Sequence, residues 1–173
     1  MNRKTQTSLG KTRKGTTATN MYHILLAEDD KEMRALLALL LRKAGYRVTE
    51  CRDGVGLLTY LEPFLLPNGV EDKDVDLIIS DIRMPGFTGM EVLEGAPKNE
   101  GFPPMILITA FGDEETHALA KEFGAAAMFD KPFNMDDLLA KVHELLPPNE
   151  KSKGLSRETK NDELGEADNE KTH

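Results

Sequence analysis

The sequence predicts an α/β fold, a doubly wound parallel sheet of five strands with helices on both faces. Three observations carry this expectation. Strand-like and helix-like segments alternate along the middle of the chain, each type occurring five times. The strand segments Val75–Ser80 and Met105–Ile108 are apolar enough to be buried on both faces, as central parallel strands are. The helical segments repeat apolar residues at spacings of three and four, which gives each helix one buried side. Such alternation implies a parallel sheet covered on both sides.

Taken in order, His23–Ala27 is a short apolar strand that ends in Glu28-Asp29-Asp30. Met33, Leu36, Leu37, Leu40 and Leu41 then mark one face of a helix, and Gly45 stops it. Tyr46–Cys51 reads as the second strand. Val55, Leu57, Leu58 and Leu61 mark a second helix, which runs into a loop around Pro67-Asn68-Gly69. Val75–Ser80 is the third strand; the loop Arg83–Gly89 leads from it to a short helix over Met90–Leu93. Met105–Ile108 is the fourth strand. Asp113 caps a helix that runs through Phe123 and ends at Gly124. Ala126–Phe129 is the fifth strand, and Asn134 caps a last helix carrying Leu138, Leu139, Val142, Leu145 and Leu146. Pro147-Pro148 stops it.

The chain has 173 residues, of which 39% are hydrophobic and 30% charged. That composition supports one packed domain. Residues 1–20 read as a disordered basic arm, with Arg3, Lys4, Lys11, Arg13 and Lys14 and no acid. Residues 21–147 are the domain, and 148–173 read as a disordered charged tail. A net charge of -8 argues against a nucleic-acid-binding face. The one cysteine, Cys51, has no internal partner and fits a small buried residue near a strand end. No apolar run approaches the ~20 residues that span a bilayer, and a cytoplasmic protein is expected.

Ligands of parallel sheets bind beyond the carboxyl ends of the strands, where strand order reverses. Here those ends form a chemical set. Strand one ends at Glu28 and Asp29, strand three at Asp81, strand four at Thr109, and strand five near Lys131. Converging carboxylates repel one another, and oxygen-only ligands favour a hard cation such as magnesium. An aspartate can be a nucleophile toward phosphorus; the metal, a lysine and a hydroxyl would neutralise and hold the transferring group. Taken singly, each residue has an ordinary explanation. Asp29 and Asp30 can cap the first helix, Asp81 can open a turn before Pro85-Gly86, Thr109 can be strand packing, and Lys131 a solvated loop residue. Their common location favours the joint reading.

The chain resembles the receiver domains of bacterial two-component response regulators over about residues 22 to 147. The resemblance rests on Ile24-Leu25-Leu26-Ala27-Glu28-Asp29-Asp30, then Asp76-Leu77-Ile78-Ile79-Ser80-Asp81-Ile82-Arg83-Met84-Pro85-Gly86 with Gly89 beyond. Ile106-Leu107-Ile108-Thr109-Ala110 and Lys131-Pro132-Phe133 complete it. It implies a flavodoxin-like fold with strand order 2-1-3-4-5, and phosphorylation of Asp81 by a partner histidine kinase or phosphotransfer protein. It also implies that Asp29 and Asp81 bind Mg2+ directly, that Glu28 completes the acidic pair, and that the backbone carbonyl of Arg83 is a further ligand. Thr109 is then the hydroxyl that moves toward the phosphoryl group, with Ala110 leaving space beside it. Lys131 pairs with the phosphoryl oxygens, and the bond to the following proline is expected in cis.

Three features depart from the family's pattern. Glu28 replaces the commoner aspartate, Met128 replaces the aromatic ring of the usual switch, and Arg83 and Phe111 are bulky residues expected to flank the path of hydrolytic water. No output domain follows Pro148, so a stand-alone receiver is expected. Its signal would be a protein-binding event on the fourth-helix, fifth-strand and fifth-helix face, with a downstream protein the sequence does not name or with a second copy of itself. A magnesium-dependent phosphatase would need a second carboxylate just after the nucleophile, where this chain has Ile82-Arg83-Met84. The remaining alternative is a docking module that is never phosphorylated.

Overall fold

The computed structural model describes residues 21–65, 74–98 and 101–147. The arm expected over 1–20, the loop around Pro67-Asn68-Gly69 and the tail over 148–173 lie outside the described residues. Five strands and five helices alternate: β1 (His23–Ala27), α1 (Lys31–Lys43), β2 (Arg47–Cys51), α2 (Gly54–Leu65), β3 (Leu77–Asp81), α3 (Gly89–Glu94), β4 (Met105–Thr109), α4 (Glu114–Phe123), β5 (Ala127–Asp130) and α5 (Met135–Leu145). All neighbouring strands pair in parallel, in the order β2-β1-β3-β4-β5. The expected architecture is therefore present.

Side chains of each central strand alternate between two cores, because successive residues of a strand face opposite sides. Ile24 and Leu26 of β1, Leu77 and Ile79 of β3, and Ile106 and Ile108 of β4 pack with Leu37, Ala38 and Leu41 of α1 and Leu138 and Val142 of α5. The other register, Leu25, Ala27, Ile78, Met105 and Leu107, packs with Leu57 and Leu61 of α2, Val92 and Leu93 of α3, and Ala120 of α4. Every residue of β1, β3 and β4 is buried. This double cover fixes the strand register: a one-residue slip would exchange the two cores.

Helix ends follow local chemistry. Asp30, Asp113 and Asn134 accept N–H bonds from the first turns of α1, α4 and α5. Thr88 and Glu91 form a reciprocal capping box on α3. Gly124 closes α4 at φ 92°, a left-handed conformation that glycine adopts without a Cβ penalty.

The structure corrects several boundaries. Tyr46 lies before β2 rather than in it, because its N–H closes the end of α1 on the carbonyl of Leu41 at 3.2 Å. At the other end of the next strand, Asp81 is the last residue of β3, paired opposite Ile108. The stripe expected on α1 is also rotated. Leu37, Ala38 and Leu41 face the sheet, while Leu36 is 51% exposed. A run of leucines does not by itself define a face, and the small Ala38 is fully buried in the core with Leu37 and Leu41. Val55, expected on the buried side of α2, is 55% exposed.

That rotation sets a contrast. Leu41→Ala should lower unfolding free energy by about 2–5 kcal/mol, and Leu36→Ala by less than about 1 kcal/mol. Urea denaturation of both variants checks it; equal losses would contradict the observed face.

Candidate functional site

The chain leaves β1 for β2 on one side and then crosses to β3 on the other, so the carboxyl ends of β1 and β3 flank the topological switch point. The three consecutive acids after β1 separate there. Glu28 turns inward and is 1% exposed, held by its N–H on the carbonyl of Cys51 at 3.1 Å. Asp29 remains exposed. Asp30 caps α1 through the N–H of Met33 at 2.8 Å. The ordinary capping explanation thus belongs to Asp30 and leaves Asp29 to the site.

Asp81, 5% exposed, ends β3 beside them. Its Oδ1 accepts the N–H of Arg83 at 2.8 Å, and its Oδ2 accepts Lys131 Nζ at 2.5 Å. The same ammonium donates to Glu28 Oε2 at 2.8 Å. One lysine, 50 residues from one partner and 103 from the other, therefore bridges both buried carboxylates. Lys131 follows the end of β5, where its N–H bonds the carbonyl of Thr109 at 2.7 Å, and the Lys131-Pro132 bond is cis as expected. Thr109 ends β4 and is 1% exposed; its Oγ1 accepts the N–H of Phe111 at 3.1 Å.

Carboxylate oxygens of Glu28, Asp29 and Asp81 all lie within 4.8 Å of one another. Three acids against one lysine leave a concentrated negative charge, and every donor atom is an oxygen. That set suits a hard divalent cation. Burial pushes the Glu28 carboxyl up, the Lys131 hydrogen bond pulls it down, and the Asp81 charge adds to the rise; the net direction is upward. Burial works against the Lys131 ammonium, but the bonds to Asp81 and Glu28 outweigh it and raise its pKa.

The other expected residues are also located. Arg83 and Phe111 meet at the surface above the site, with the guanidinium 4.3 Å from the ring centroid. Met128 is half-buried in the core under α2, α3 and α4, in register with Leu107. Cys51 is buried at the end of β2, and burial pushes its thiol up to about 12, out of reactive range.

Two features were not foreseen. Arg34 donates to the carbonyls of Glu28 at 2.6 Å and Asp29 at 3.3 Å, bracing the acidic turn from behind. A basic residue in the first turn of a helix opposes the helix dipole, which is a faint signal that it has other partners. His117 of α4 pairs with Asp130 at the end of β5 at 2.9 Å; no spacing rule links those two positions.

Comparison with known proteins identifies the family and the fold. The family model described as response regulator receiver domain matches residues 24–143. The chain is 34% identical over 126 residues to the transcriptional regulatory protein CpxR of Escherichia coli (strain K12), covering 73% of this chain and 50% of that relative. It is 31% identical over 128 residues to the transcriptional regulatory protein FixJ of Bradyrhizobium diazoefficiens, covering 74% and 58%. The solved structure of the chemotaxis response regulator CheY4 of Vibrio cholerae superposes with a TM-score of 0.60 at 28% identity, covering 73% of this chain and 99% of that one. The chain spans about half the length of the curated relatives it matches.

The Glu28 shift makes a signed prediction. A carboxyl whose folded pKa lies above its ordinary 4.5 costs stability when ionised; the cost is complete above the folded pKa and vanishes below the ordinary value. Glu28→Gln should therefore stabilise the metal-free protein at pH 7, with the gain fading toward pH ~4. Urea denaturation in chelator at both pH values reads this out. A loss at pH 7 would contradict it.

Proposed function

The chain belongs to the response regulator receiver family, and from that premise we propose that it is a phosphorelay switch with Asp81 as its phosphoacceptor. The observation that carries this reading is the bridge from Lys131 to the two buried carboxylates Asp81 and Glu28 at the strand ends. A phosphohistidine on a sensor kinase or phosphotransfer protein is the expected donor. A carboxylate oxygen of Asp81 attacks phosphorus; the new P–O bond forms as the P–N bond to the donor histidine breaks, and the imidazole leaves with the electron pair.

The residues around Asp81 divide the work. Lys131 exchanges its carboxylate partners for phosphoryl oxygens and remains charged throughout, as its raised pKa favours. Thr109 already uses a lone pair to accept from Phe111, so its own O–H is free to donate to a phosphoryl oxygen. Glu28, Asp29, Asp81 and the Arg83 carbonyl are the proposed Mg2+ ligands. Bound there, Mg2+ would supply positive charge against the transferring group. Above them, the Arg83–Phe111 stack limits the approach of water to the acyl phosphate.

The output is a binding event rather than turnover of a substrate. Phosphorylation shifts an existing equilibrium on the face formed by α4, β5 and α5. Local packing supports that choice: β5 is only partly buried, and Ala120 is the one buried residue of α4. This face would meet a downstream protein or a second copy of the chain. The named relatives act as transcriptional regulators, but they match over about half their length, so a role in transcription is not carried over. A cytoplasmic site of action belongs to the same reading, since response regulators generally work there. Among the described residues no helix is long and apolar enough to cross a membrane.

Intact-protein mass spectrometry after incubation with Mg2+ and acetyl phosphate tests the acceptor. One phosphoryl group should appear on the parent protein and be absent from Asp81→Asn and from chelator-treated samples. A parent protein that stays unmodified with small donors and with kinases would favour the docking module. The stack has its own test. Replacing Arg83 and Phe111 by alanine should shorten the phosphoryl lifetime severalfold; an unchanged lifetime would remove the stack from the hydrolytic path.

A further inference from the structure

The first turn of α2 touches the segment that follows Asp81, and it does so through backbone. The N–H of Gly54 donates to the carbonyl of Pro85 at 3.0 Å. A Cβ at Gly54 would stand 1.9 Å from the carbonyl oxygen of Phe87, and within 2.6 and 2.7 Å of that residue's C and N atoms. These are main-chain atoms, so relief requires the loop itself to move. One residue on, Val55 meets the same loop: a Cβ at Gly86, which has φ +85°, would lie 2.8 Å from Val55 Cγ2. Val55 is half-exposed because it faces this loop and not the core.

The loop has little freedom at either end. At its start, the N–H of Arg83 is bonded to Asp81 Oδ1, and Ile82 and Met84 are buried. At its finish, Gly89 packs so closely on β3 that a Cβ there would come within 2.5 Å of the Asp81 carbonyl oxygen; its N–H bonds the Ile82 carbonyl at 3.0 Å. The capping box of Thr88 and Glu91 locks the entry to α3. The middle, Pro85 to Phe87, is held by α2. A push there is therefore taken up as strain by both anchors, one of which carries Arg83.

We propose that Gly54 is a positioning residue for the metal site: the bare first turn of α2 seats the 85–87 loop and thereby sets the Arg83 carbonyl for Mg2+. This inference rests on the proposed Mg2+ site. Gly54 touches none of the ligands and acts only through the loop. Its effect should therefore fall on metal affinity and not on the chemistry at saturating metal. Supports of this kind typically change metal affinity by about 10–100-fold when altered.

The test compares the parent protein, Gly54→Ala and Asp29→Asn, with folding checked by thermal melts. Mg2+ affinity is read by isothermal titration calorimetry, and the rate of phosphorylation by acetyl phosphate is read as a function of Mg2+ concentration. Gly54→Ala should bind Mg2+ about tenfold or more weakly, and its phosphorylation rate should return to the parental level at saturating Mg2+. Unchanged affinity in folded Gly54→Ala, with affinity lost in Asp29→Asn, would overturn the positioning role and leave the site standing. A parent protein that binds no Mg2+ would remove both. Should Gly54→Ala not fold, Val55→Ala at its half-exposed position carries the same comparison. A severalfold weaker affinity is expected there, and unchanged affinity overturns the proposal.

Discussion

Carboxylates of like charge are forced together where β1 and β3 end, and much of the rest of the structure depends on holding them there. Glu28 and Asp81 are almost wholly removed from solvent, a placement that is costly for charged groups without partners. Lys131 supplies the one ammonium between them. Arg34 meets the same turn from outside through the carbonyls of Glu28 and Asp29. The remaining excess of negative charge suits the site to a hard cation, the property on which the proposed Mg2+ and phosphoryl chemistry rests. Burial, and after it the Asp81 charge, raise the Glu28 carboxyl above its ordinary pKa, so ionisation there is costly.

Holding that charge requires a rigid frame. Buried apolar side chains cover β1, β3 and β4 on both sides, so the strand ends that carry Glu28, Asp81 and Thr109 have nowhere to slide. The frame is softer toward β5. That strand is an edge, its residues are partly buried, and α4 is tied to its end by His117 and Asp130 at the surface. An exposed side-chain contact of this kind contributes little. A change in charge at the rigid end is thus expressed most easily on the side where packing is weakest, which is the side proposed for partner binding.

Legibility in the sequence tracked the locality of the cause. Asp30, Asp113 and Asn134 as helix caps, and Gly124 as a stop, were readable because each acts within a few residues of itself. The strand ends carrying Asp81, Thr109 and Lys131 were readable because apolar runs end there. The division of labour among Glu28, Asp29 and Asp30 was not, since three adjacent acids have equal local claims to cap, coordinate or turn inward. The face of α1 was misjudged at Leu36 for a related reason: consecutive leucines fit more than one stripe, and only contact with the sheet selects Leu37, Ala38 and Leu41.

By itself the sequence determined the five alternations of strand and helix, the resulting parallel sheet, and the residues standing at its carboxyl edge. These follow from periodicity and capping, which are properties of neighbouring residues. Tertiary structure alone decided that one lysine spans Glu28 and Asp81, that Arg83 stacks on Phe111, and that the first turn of α2 rests on the loop after Asp81. Each of these joins segments far apart in the chain. Their distances are set by how the two cores close around the sheet, which no local pattern encodes.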